Sequence, residues 1–354
     1  MKHIISITGI RPDFIRMSKV FKKLDINFKH TLIHTGQHYS SSLSDVFFKD
    51  LDIRQPDYNW GVGQASIDHI EQLANLSKKI KENEDLIRSA DLVLFLGDSN
   101  SALAAVPIKK MGVKVGHIEA GMRSGDRRMF EEINRTVCDH CSDFLFTYHS
   151  NYAEHLRKEN IINGVHVVGN TILEVAKEIY DTKLSTREKQ NSHILLDIHR
   201  PENFQDRRRL KRILTYASFY GRYYKLPVYI LNFSRTMQAI KDFGIDLGKI
   251  QVKEQMGFVE YLNFAYDSRL AISDSGTAPE ELPILKTPVL VPRDYTERPE
   301  AYEHGCAVYL SLHKFNTAAA EVLADRVDEC IFDISWLGAG DTSSKIIKIL
   351  KDNL

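Results

Sequence analysis

Residues 113–135, VKVGHIEAGMRSGDRRMFEEINR, place a short apolar run directly before a dense cluster of charges. The run VKVGHI has the length and the apolar side chains that are typical of a buried strand. Glu119 and four arginines follow it, and the neighbouring Glu131 and Glu132 begin a helical pattern. Charges of both signs beside a buried strand cost desolvation free energy, and carboxylates near arginines are a common means of tuning acids and bases. The stretch therefore predicts a strand–loop–helix unit with a functional site in its loop.

The same alternation of short apolar runs and helix-length segments continues along the whole chain. In the first half, we predict strands at residues 3–8, 30–34, 91–96, 113–118, 144–148 and 165–169. The predicted helices lie at residues 14–24, 67–84, 101–111, 131–141 and 151–160. In the second half, the strand pattern restarts at residues 193–198, 227–231, 249–253, 270–273 and 288–291. Apolar strands of this length between helices indicate parallel sheets that are covered on both faces.

The length of the chain, 354 residues, exceeds the usual size of one hydrophobic core, so we expect two domains. The polar segment at residues 181–192 interrupts the pattern, and we take it as the linker. We predict one α/β domain over residues 1–182, a second over 183–335, and a C-terminal helix over 336–354 that packs back on the first domain. The simplest arrangement is two domains that face each other across a central cleft, because ligands bind beyond the carboxyl ends of such strands.

Polar clusters stand directly after five of the predicted strands. They are Gly9–Pro12, Gly97–Asn100, Glu119, His199–Glu202 and Asp274–Gly276. Because both halves of the chain contribute, we expect the clusters to point into one cleft. The last cluster also has the small residues that can begin a helix and let backbone N–H groups approach an anion, so phosphate is the expected ligand there.

The overall charge excludes several classes of partner. Lys plus Arg and Asp plus Glu are each 47, so no net field attracts nucleic acid or an anionic membrane surface. The first apolar run is too short for a signal peptide or a membrane helix. We therefore predict a cytoplasmic protein that binds neither nucleic acid nor membranes.

Four cysteines are too few for a disulfide scaffold of this size and fit a reducing compartment. Cys138 and Cys141 have redox spacing, but they lie in the middle of a predicted helix and have no second ligand pair nearby in the sequence. We therefore predict no metal site.

Nine motifs follow one another in an order that is more specific than any of them alone. They are GIRPDFIRMSKV, HTGQHY, LGDSNSALAA, GHIEAGMRSGDRRMFEEINR, VGNTILEV, HRPEN, DSGTAPEE, RDYTERPEA and GAGDTSSKI. With them, the chain resembles the non-hydrolysing UDP-N-acetylglucosamine 2-epimerase family of bacteria and archaea. The resemblance implies a GT-B fold of two Rossmann-like α/β/α domains, the second of which binds UDP. It also implies a homodimer that needs no cofactor.

The resemblance also implies roles for individual residues. The predicted catalytic residues are Asp98, Glu119, Glu131 and His199. The predicted substrate-binding residues are Arg11, Arg16, Arg135, Arg200, Ser275, Gly276, Thr277, Glu281 and Arg293. Among these, Ser275, Gly276 and Glu281 match the family positions that hold diphosphate and ribose.

The family's reaction removes the C2 proton of the sugar while UDP leaves C1, which gives a 2-acetamidoglucal. Proton and UDP then add back with C2 inverted. The C2 proton is not next to a carbonyl, so the reaction needs a base, an acid for the opposite face and cations on the leaving diphosphate. Two neighbouring carboxylates can hold different protonation states, which suits these two roles. Which carboxylate is acid and which is base stays open.

Other functions remain compatible with this sequence. Pro279 and the Gly276–Thr277 pair match relatives that act on UDP-N-acetyl-fucosamine-type sugars, so the substrate can be a 6-deoxy or 2,3-diacetamido UDP-amino sugar instead of UDP-N-acetylglucosamine. A hydrolysing epimerase, a GT-B glycosyltransferase and a nucleotide-sugar sensor are further alternatives. The clustered carboxylates favour an epimerase, which would supply an activated amino sugar for surface polysaccharide.

Two departures from the family pattern concern regulation and nucleotide binding. Gln37 and His38 match part of the allosteric UDP-N-acetylglucosamine site of bacterial members, but Ser40 replaces a further glutamine. Phe233 stands where many members have a histidine. We therefore predict that any allosteric site is a remnant and that the reaction does not strictly depend on a second UDP-N-acetylglucosamine molecule.

The predicted site residues also suit purely structural roles. Asp98 stands where a residue can cap the following helix. Glu131 and Glu132 stand in the first turn of a predicted helix, where acids complement the dipole, and we expect one of them to have that role.

Overall fold

A computed structural model of the chain describes residues 1–37, 45–63, 68–126 and 128–354. Its contacts divide the chain into two compact units. Unit 1 comprises Met1–Val175 and Leu337–Leu354, and unit 2 comprises Ala176–Trp336. The contacts divide the chain inside a helix at Thr171–Ile179, a few residues before the domain boundary that we predict after residue 182. That boundary stays a prediction.

Unit 1 contains a seven-stranded sheet in which all strands are parallel. Its strands are β1 (His3–Thr8), β2 (Lys29–His34), β3 (Tyr58–Asn59), β4 (Leu92–Leu96), β5 (Lys114–Ile118), β6 (Phe144–Thr147) and β7 (Val165–Val167). Their order in the sheet is β3-β2-β1-β4-β5-β6-β7. The sequence pattern predicted all of them except β3, whose two exposed residues are too few to form an apolar run.

Helices lie between these strands, and a further one follows β7 and contains the division between the units. They are α1 (Arg11–Asn27), α2 (Asp45–Asp50), α3 (His69–Glu82), α4 (Glu84–Arg88), α5 (Ala105–Lys110), α6 (Glu131–Cys141), α7 (Ser150–Lys158) and α8 (Thr171–Ile179). The helix predicted at 67–84 ends at Asn83, whose side chain donates to the Lys79 carbonyl at 2.8 Å, and α4 begins anew after it. The helix predicted at 101–111 begins as a 3₁₀ turn at Asn100–Ala104, which is common at helix N-termini.

Unit 2 contains a six-stranded sheet, which is also parallel throughout. Its strands are β8 (His193–Asp197), β9 (Val228–Leu231), β10 (Gln251–Lys253), β11 (Ser268–Ser273), β12 (Val289–Val291) and β13 (Ala307–Tyr309). Their order is β10-β9-β8-β11-β12-β13. The helices are α9 (Pro201–Phe204), α10 (Arg207–Tyr223), α11 (Ser234–Asp242), α12 (Phe258–Tyr266), α13 (Ala278–Ile284), α14 (Glu300–Glu303) and α15 (Thr317–Asp328). The prediction of two parallel α/β sheets is thus confirmed.

The central strands of both sheets are buried because they are apolar on both faces. Every residue of β4 (LVLFL) and of β8 (HILLD) is buried. In unit 2, α10 covers the sheet with an apolar stripe that includes Leu210, Ile213 and Ala217. Each fully buried leucine or isoleucine side chain contributes about 1.5–3 kcal/mol relative to an exposed one.

The helix α16 (Thr342–Asn353) follows unit 2 in the chain but packs on α1 of unit 1. The Thr342 hydroxyl donates to the Val168 carbonyl at 3.2 Å, and the Ser343 N–H donates to the Glu174 carboxylate at 3.0 Å. No helix in the described part of the chain is long and apolar enough to cross a membrane.

The strand order of each sheet reverses beside its first strand, between β1 and β4 in unit 1 and between β8 and β11 in unit 2. Open parallel sheets bind ligands beyond the carboxyl ends of the strands at such reversal points. The polar residues that follow these strands are therefore the candidates for a site.

Candidate active site

The turn after β1 is held by a carboxylate that the sequence analysis did not select. Asp13, in the first turn of α1, is buried and accepts hydrogen bonds from the Gly9 N–H at 2.7 Å and the Ile10 N–H at 3.1 Å. Burial raises the pKa of Asp13 to about 7, although these two hydrogen bonds oppose the shift. The turn places Arg11 at the start of α1.

The predicted residues Arg16 and Glu119 form a buried ion pair in unit 1. An Arg16 guanidinium nitrogen lies 2.7 Å from Glu119 Oε2, and each side chain is only 5% exposed. The Arg16 guanidinium also lies over the Tyr148 ring, 5.3 Å from its centre. Glu119 has φ +74°, a left-handed conformation that costs a residue other than glycine about 1–3 kcal/mol. Strain of this kind persists only where the surroundings impose it, which is common in functional sites.

A second carboxylate–arginine pair joins the end of β4 to α6. Arg135 is buried and contacts the carboxylate of Asp98, whose side chain is 24% exposed. The Asn134 side chain donates to the Asp98 carbonyl at 2.8 Å. The structure thus brings the predicted residues Asp98 and Arg135 together. Arg135 lies one helical turn after Glu131 in α6.

The neighbouring glutamates Glu131 and Glu132 have different surroundings. Glu132 lies 3.1 Å from Arg135, and its two carboxylate oxygens accept from the N–H groups of Ser124 and Gly125 at 3.0 and 3.2 Å. Glu132 therefore closes the loop ahead of α6. Glu131 is half-buried at the first residue of α6.

In unit 2, His199 follows β8 and is oriented by carboxylates. Its Nδ1 donates to Asp197 at 3.0 Å and lies 3.6 Å from Asp274. The Phe233 ring packs on the imidazole, with ring centres 4.9 Å apart. Burial alone lowers the pKa of His199, but the Asp197 and Asp274 carboxylates together more than offset it, and the net shift is upward. Because Nδ1 is bound to Asp197, Nε2 is the nitrogen that is suited to exchange a proton with a ligand.

Asp274 has a role that differs from the helix start predicted for it. Its carboxylate accepts from the N–H groups of His199 and Arg200 at 2.9 and 3.1 Å and from the Asn203 side chain at 3.0 Å. The helix α13 begins instead at Ala278, after Thr277 as its N-cap residue, whose side chain makes no capping bond. The Thr277 and Ser275 hydroxyls are 3.2 Å apart and hydrogen-bond each other.

Charged side chains crowd the backbone at Gly276. A Cβ atom on this residue would lie 2.9 Å from Glu297 and 3.2 and 3.3 Å from guanidinium nitrogens of Arg200 and Arg298. Glu297 in turn pairs with Arg298 at 2.7 Å and with Arg293 at 3.2 Å. Two of the predicted binding residues, Arg200 and Arg293, thus belong to one charged cluster beside Gly276.

Glu280 and Glu281 in α13 are both buried but have different partners. Glu280 pairs with Arg298 at 2.7 Å. Glu281 and Asp197 both interact with Tyr261, and their charges add to the effect of burial in raising the pKa of that phenol well above its usual range.

Gln37, one of the two residues predicted as an allosteric remnant, is buried in unit 1 beside Gly9, where a Cβ atom would lie 3.0 Å from Gln37 Oε1. His38 and Ser40 lie outside the described residues. The prediction about allosteric control therefore stays a prediction.

Comparison with known proteins places the whole chain among nucleotide-sugar epimerases. Residues 22–351 match the family model described as UDP-N-acetylglucosamine 2-epimerase. The UDP-N-acetylglucosamine 2-epimerase of Methanococcus maripaludis is 36% identical over 316 residues, which cover 84% of either chain. The UDP-2,3-diacetamido-2,3-dideoxy-D-glucuronate 2-epimerase of Pseudomonas aeruginosa is 31% identical over 360 residues, with 98% of this chain and 99% of the relative covered.

A solved structure shows the same likeness in three dimensions. The UDP-GlcNAc 2-epimerase of Methanocaldococcus jannaschii, crystallised in complex with UDP-GlcNAc and UDP, superimposes with a TM-score of 0.85 at 32% identity. The match covers 100% of each of the two chains.

Proposed function

Because the chain belongs to the UDP-N-acetylglucosamine 2-epimerase family, we propose that it inverts C2 of a UDP-activated N-acetylamino sugar. UDP-N-acetylglucosamine and UDP-N-acetylmannosamine are the first substrate pair to test. The observation that carries the proposal is the pair of carboxylate–arginine contacts, Arg16 with Glu119 and Arg135 with Asp98, beyond the carboxyl ends of β5 and β4. They hold two potential acid–base groups at the reversal point of the unit 1 sheet.

Proton transfer is the part of the reaction that we assign to unit 1. Departure of UDP from C1 generates the cationic character that acidifies the C2 proton, so a base must lie on one face of the sugar and an acid on the other. Asp98, Glu119 and Glu131 are our candidates for these roles. Arg16 and Arg135 fix the first two carboxylates, and positioning of this kind lowers the barrier by holding the reacting groups in place.

Diphosphate binding is the part that we assign to unit 2. Gly276 has no side chain at a point where guanidinium groups converge, so its backbone can lie close to a diphosphate. Ser275, Thr277 and Arg200 would complete the anion contacts, and Glu281 would bind the ribose. His199, oriented by Asp197, would stabilise the leaving diphosphate or protonate it.

A modified UDP-amino sugar is the second candidate substrate. The relative from Pseudomonas aeruginosa is named for a diacetamido uronate sugar and aligns over nearly the whole chain. The default pair and this class share the UDP group and the 2-acetamido group, so the same carboxylates would serve both.

The experiment that tests the proposal is incubation of the purified protein with a panel of UDP-amino sugars in heavy water, followed by NMR at C2. We expect deuterium at C2 of both epimers. Epimerisation with complete retention of the original hydrogen would contradict proton abstraction. Stoichiometric release of UDP and free sugar would indicate a hydrolysing epimerase, and transfer to an added acceptor would indicate a glycosyltransferase.

Two neighbouring substitutions provide a matched control. We expect Glu131→Gln to lower turnover by about 10²–10⁴-fold, the usual contribution of an acid–base group. Glu132→Gln should mainly lower stability, because Glu132 holds the loop at Ser124 and Gly125. The reverse result would move the catalytic role to Glu132.

We also propose that the enzyme acts in the cytoplasm as a homodimer and supplies surface polysaccharide synthesis. Sedimentation of the purified protein tests the dimer. Loss of an amino sugar from the cell surface after deletion of the gene tests the biological role.

A further inference from the structure

A fully buried histidine and aspartate in unit 1 belong to none of the groups described so far. His117, in β5, is 0% exposed, and Asp139, in α6, is 1% exposed. His117 Nδ1 lies 2.7 Å from Asp139 Oδ1, and His117 Nε2 lies 2.8 Å from the Gly97 carbonyl oxygen. This pair links the end of β4, the strand β5 and the helix α6.

The hydrogen bonds of His117 define its protonation state. A carbonyl oxygen and a carboxylate oxygen are both acceptors, so the ring satisfies both only when its two nitrogens each carry a proton. Burial alone lowers the pKa of His117, but the neighbouring Cys138 and Asp139 raise it well above the usual value. The ring is therefore an imidazolium that donates in two directions.

The second oxygen of Asp139 extends the network to the loop after β5. Asp139 Oδ2 accepts from the Gly121 N–H at 3.1 Å and lies 2.8 Å from the Arg123 guanidinium. Arg123 in turn binds both carboxylate oxygens of Glu159. The positive charges of His117 and Arg123 are thus each matched by a carboxylate.

The two backbone groups that this network holds lie next to the proposed proton-transfer residues. Gly97 directly precedes Asp98, and Gly121 comes two residues after Glu119. Gly97, Glu119 and Gly121 have φ angles of +69°, +74° and +76°, so both turns use the left-handed region. Glycine adopts this region freely, whereas Glu119 keeps its conformation only where neighbouring contacts impose it.

We propose that His117 and Asp139 are a positioning pair, which fixes the two turns that carry Asp98 and Glu119. The pair would set the direction of both carboxylates toward the sugar without touching it. This inference rests on the proposed function, because it assumes that these carboxylates transfer the C2 proton. The helix α6 adds to the effect, since it carries both Asp139 and the Arg135 that contacts Asp98.

A purely structural buried ion pair is the competing explanation. Such pairs contribute little net stability, and loss of one partner destabilises the fold because the other charge is left buried. A structural pair would therefore change the fraction of folded protein but not the turnover of each folded molecule. A positioning pair would lower turnover and leave ligand affinity nearly unchanged.

The test compares His117→Gln and Asp139→Asn with the control His3→Gln. His3 is also a buried histidine of the unit 1 sheet, bonded to Thr31 at 2.9 Å, but it lies at the amino end of β1. Turnover is measured per folded molecule, and affinity for UDP is measured by calorimetry. We expect both site variants to lose about 10- to 100-fold in kcat, as small misplacements of reacting groups do, with UDP affinity and KM within about twofold of wild type.

The outcomes separate the two hypotheses. If the wild-type protein shows no C2 exchange with any sugar, the proposed function is wrong, and the positioning role, which assumes that reaction, is wrong with it. Active wild type together with His117→Gln and Asp139→Asn variants of normal kcat overturns the positioning pair alone. An equal loss of kcat in His3→Gln also overturns it, because any buried histidine of the sheet would then have the same effect.

A measurement on the wild-type protein covers the case in which the variants do not fold. Nitrogen-15 NMR of the 14 histidines should show one imidazole that keeps both ring N–H groups, protected from solvent exchange, at a pH above 6.5, the ordinary pKa of histidine. If every protected ring is neutral, the doubly donating imidazolium is absent, and the proposal is wrong.

Discussion

The turns after β1 and β8 each direct two successive backbone N–H groups at one buried carboxylate. After β1, the N–H groups of Gly9 and Ile10 bind Asp13, which lies only four residues further along the chain. After β8, the N–H groups of His199 and Arg200 bind Asp274, which is 75 residues away from His199 at the end of β11. Burial raises the pKa of both carboxyl groups.

The difference lies in what else each carboxylate does. Asp13 binds backbone groups only three and four residues before it, so it stabilises the start of α1 without joining distant parts of the chain. Asp274 joins two strands and also lies 3.6 Å from the His199 imidazole. In unit 2 the same group therefore holds the backbone and lies beside a proposed catalytic side chain. In unit 1, the charges of Asp98 and Glu119 only add a smaller contribution to the effect of burial in raising the pKa of Asp13.

The largest expected effect is on turnover, and it comes from His199, which the turn after β8 carries and the turn after β1 does not. His199→Asn should lower turnover by about 10²–10⁴-fold, because the variant loses the group that exchanges a proton or stabilises the diphosphate. Its UDP affinity should change far less, which calorimetry can check. Equal losses in turnover and in UDP affinity would show that His199 contributes binding alone.

The next effect is a pH dependence of stability at Asp13. Its folded pKa, about 7, is above the ordinary value of 3.8, so between these values the folded state binds more protons than the unfolded state. The free energy of unfolding therefore falls as pH rises through this window. Asparagine does not titrate, so Asp13→Asn should not show this fall. Its free energy of unfolding should therefore rise by about 2 kcal/mol relative to that of wild type when the pH is raised from about 5 to about 8.

Urea unfolding at the two pH values measures this difference. Asp242→Asn, which replaces an exposed aspartate of α11, is the control and should keep a constant difference from wild type. A constant difference in Asp13→Asn would mean that Asp13 is already ionised at the lower pH.

Turnover distinguishes the two carboxylates directly. Asp274→Asn should lower kcat by about tenfold, which corresponds to about 1.4 kcal/mol, because the charge facing His199 is lost. Asp13→Asn should keep kcat within about threefold, since the asparagine oxygen can still accept from the same N–H groups. A larger loss in Asp13→Asn than in Asp274→Asn would reverse the comparison.

The smallest effect concerns the aromatic ring that packs on His199. Phe233→Leu removes the ring contact, which is worth about 0.5–1.5 kcal/mol, so turnover should fall only a few-fold. Phe243→Leu, at the other end of α11, is the matched control and should retain full turnover. A loss above about 100-fold in Phe233→Leu would make this ring a direct ligand contact.

Most of the fold could be predicted from the sequence because its signals are local. Continuous apolar runs specified the long strands, and residues 131–141 were predicted as a helix with the bounds that the structure shows. The strands β3 and β13 were missed, since two or three partly exposed residues give no periodic pattern. The break at Asn83 depends on one side-chain bond that no periodicity indicates.

The candidate site was predicted where its residues directly follow strands or belong to the motifs that carry the family resemblance. The pairs of Arg16 with Glu119 and of Arg135 with Asp98 combine residues that the motifs had singled out, but the partners themselves came from the structure. His117 and Asp139 carry no local signal, because their contact joins a strand to a helix that follows a long loop. The contacts of Glu132 with Arg135 and with the loop ahead of α6 were likewise not indicated by the sequence.

The docking of α16 on α1 has a consequence for the synthesis of the protein. During translation, residues 1–175 are synthesised first, then all of unit 2, and α16 is synthesised last. Until then, the α1 surface on which α16 packs stays uncovered. Unit 2 can therefore finish folding on the ribosome before unit 1, although unit 1 emerges first.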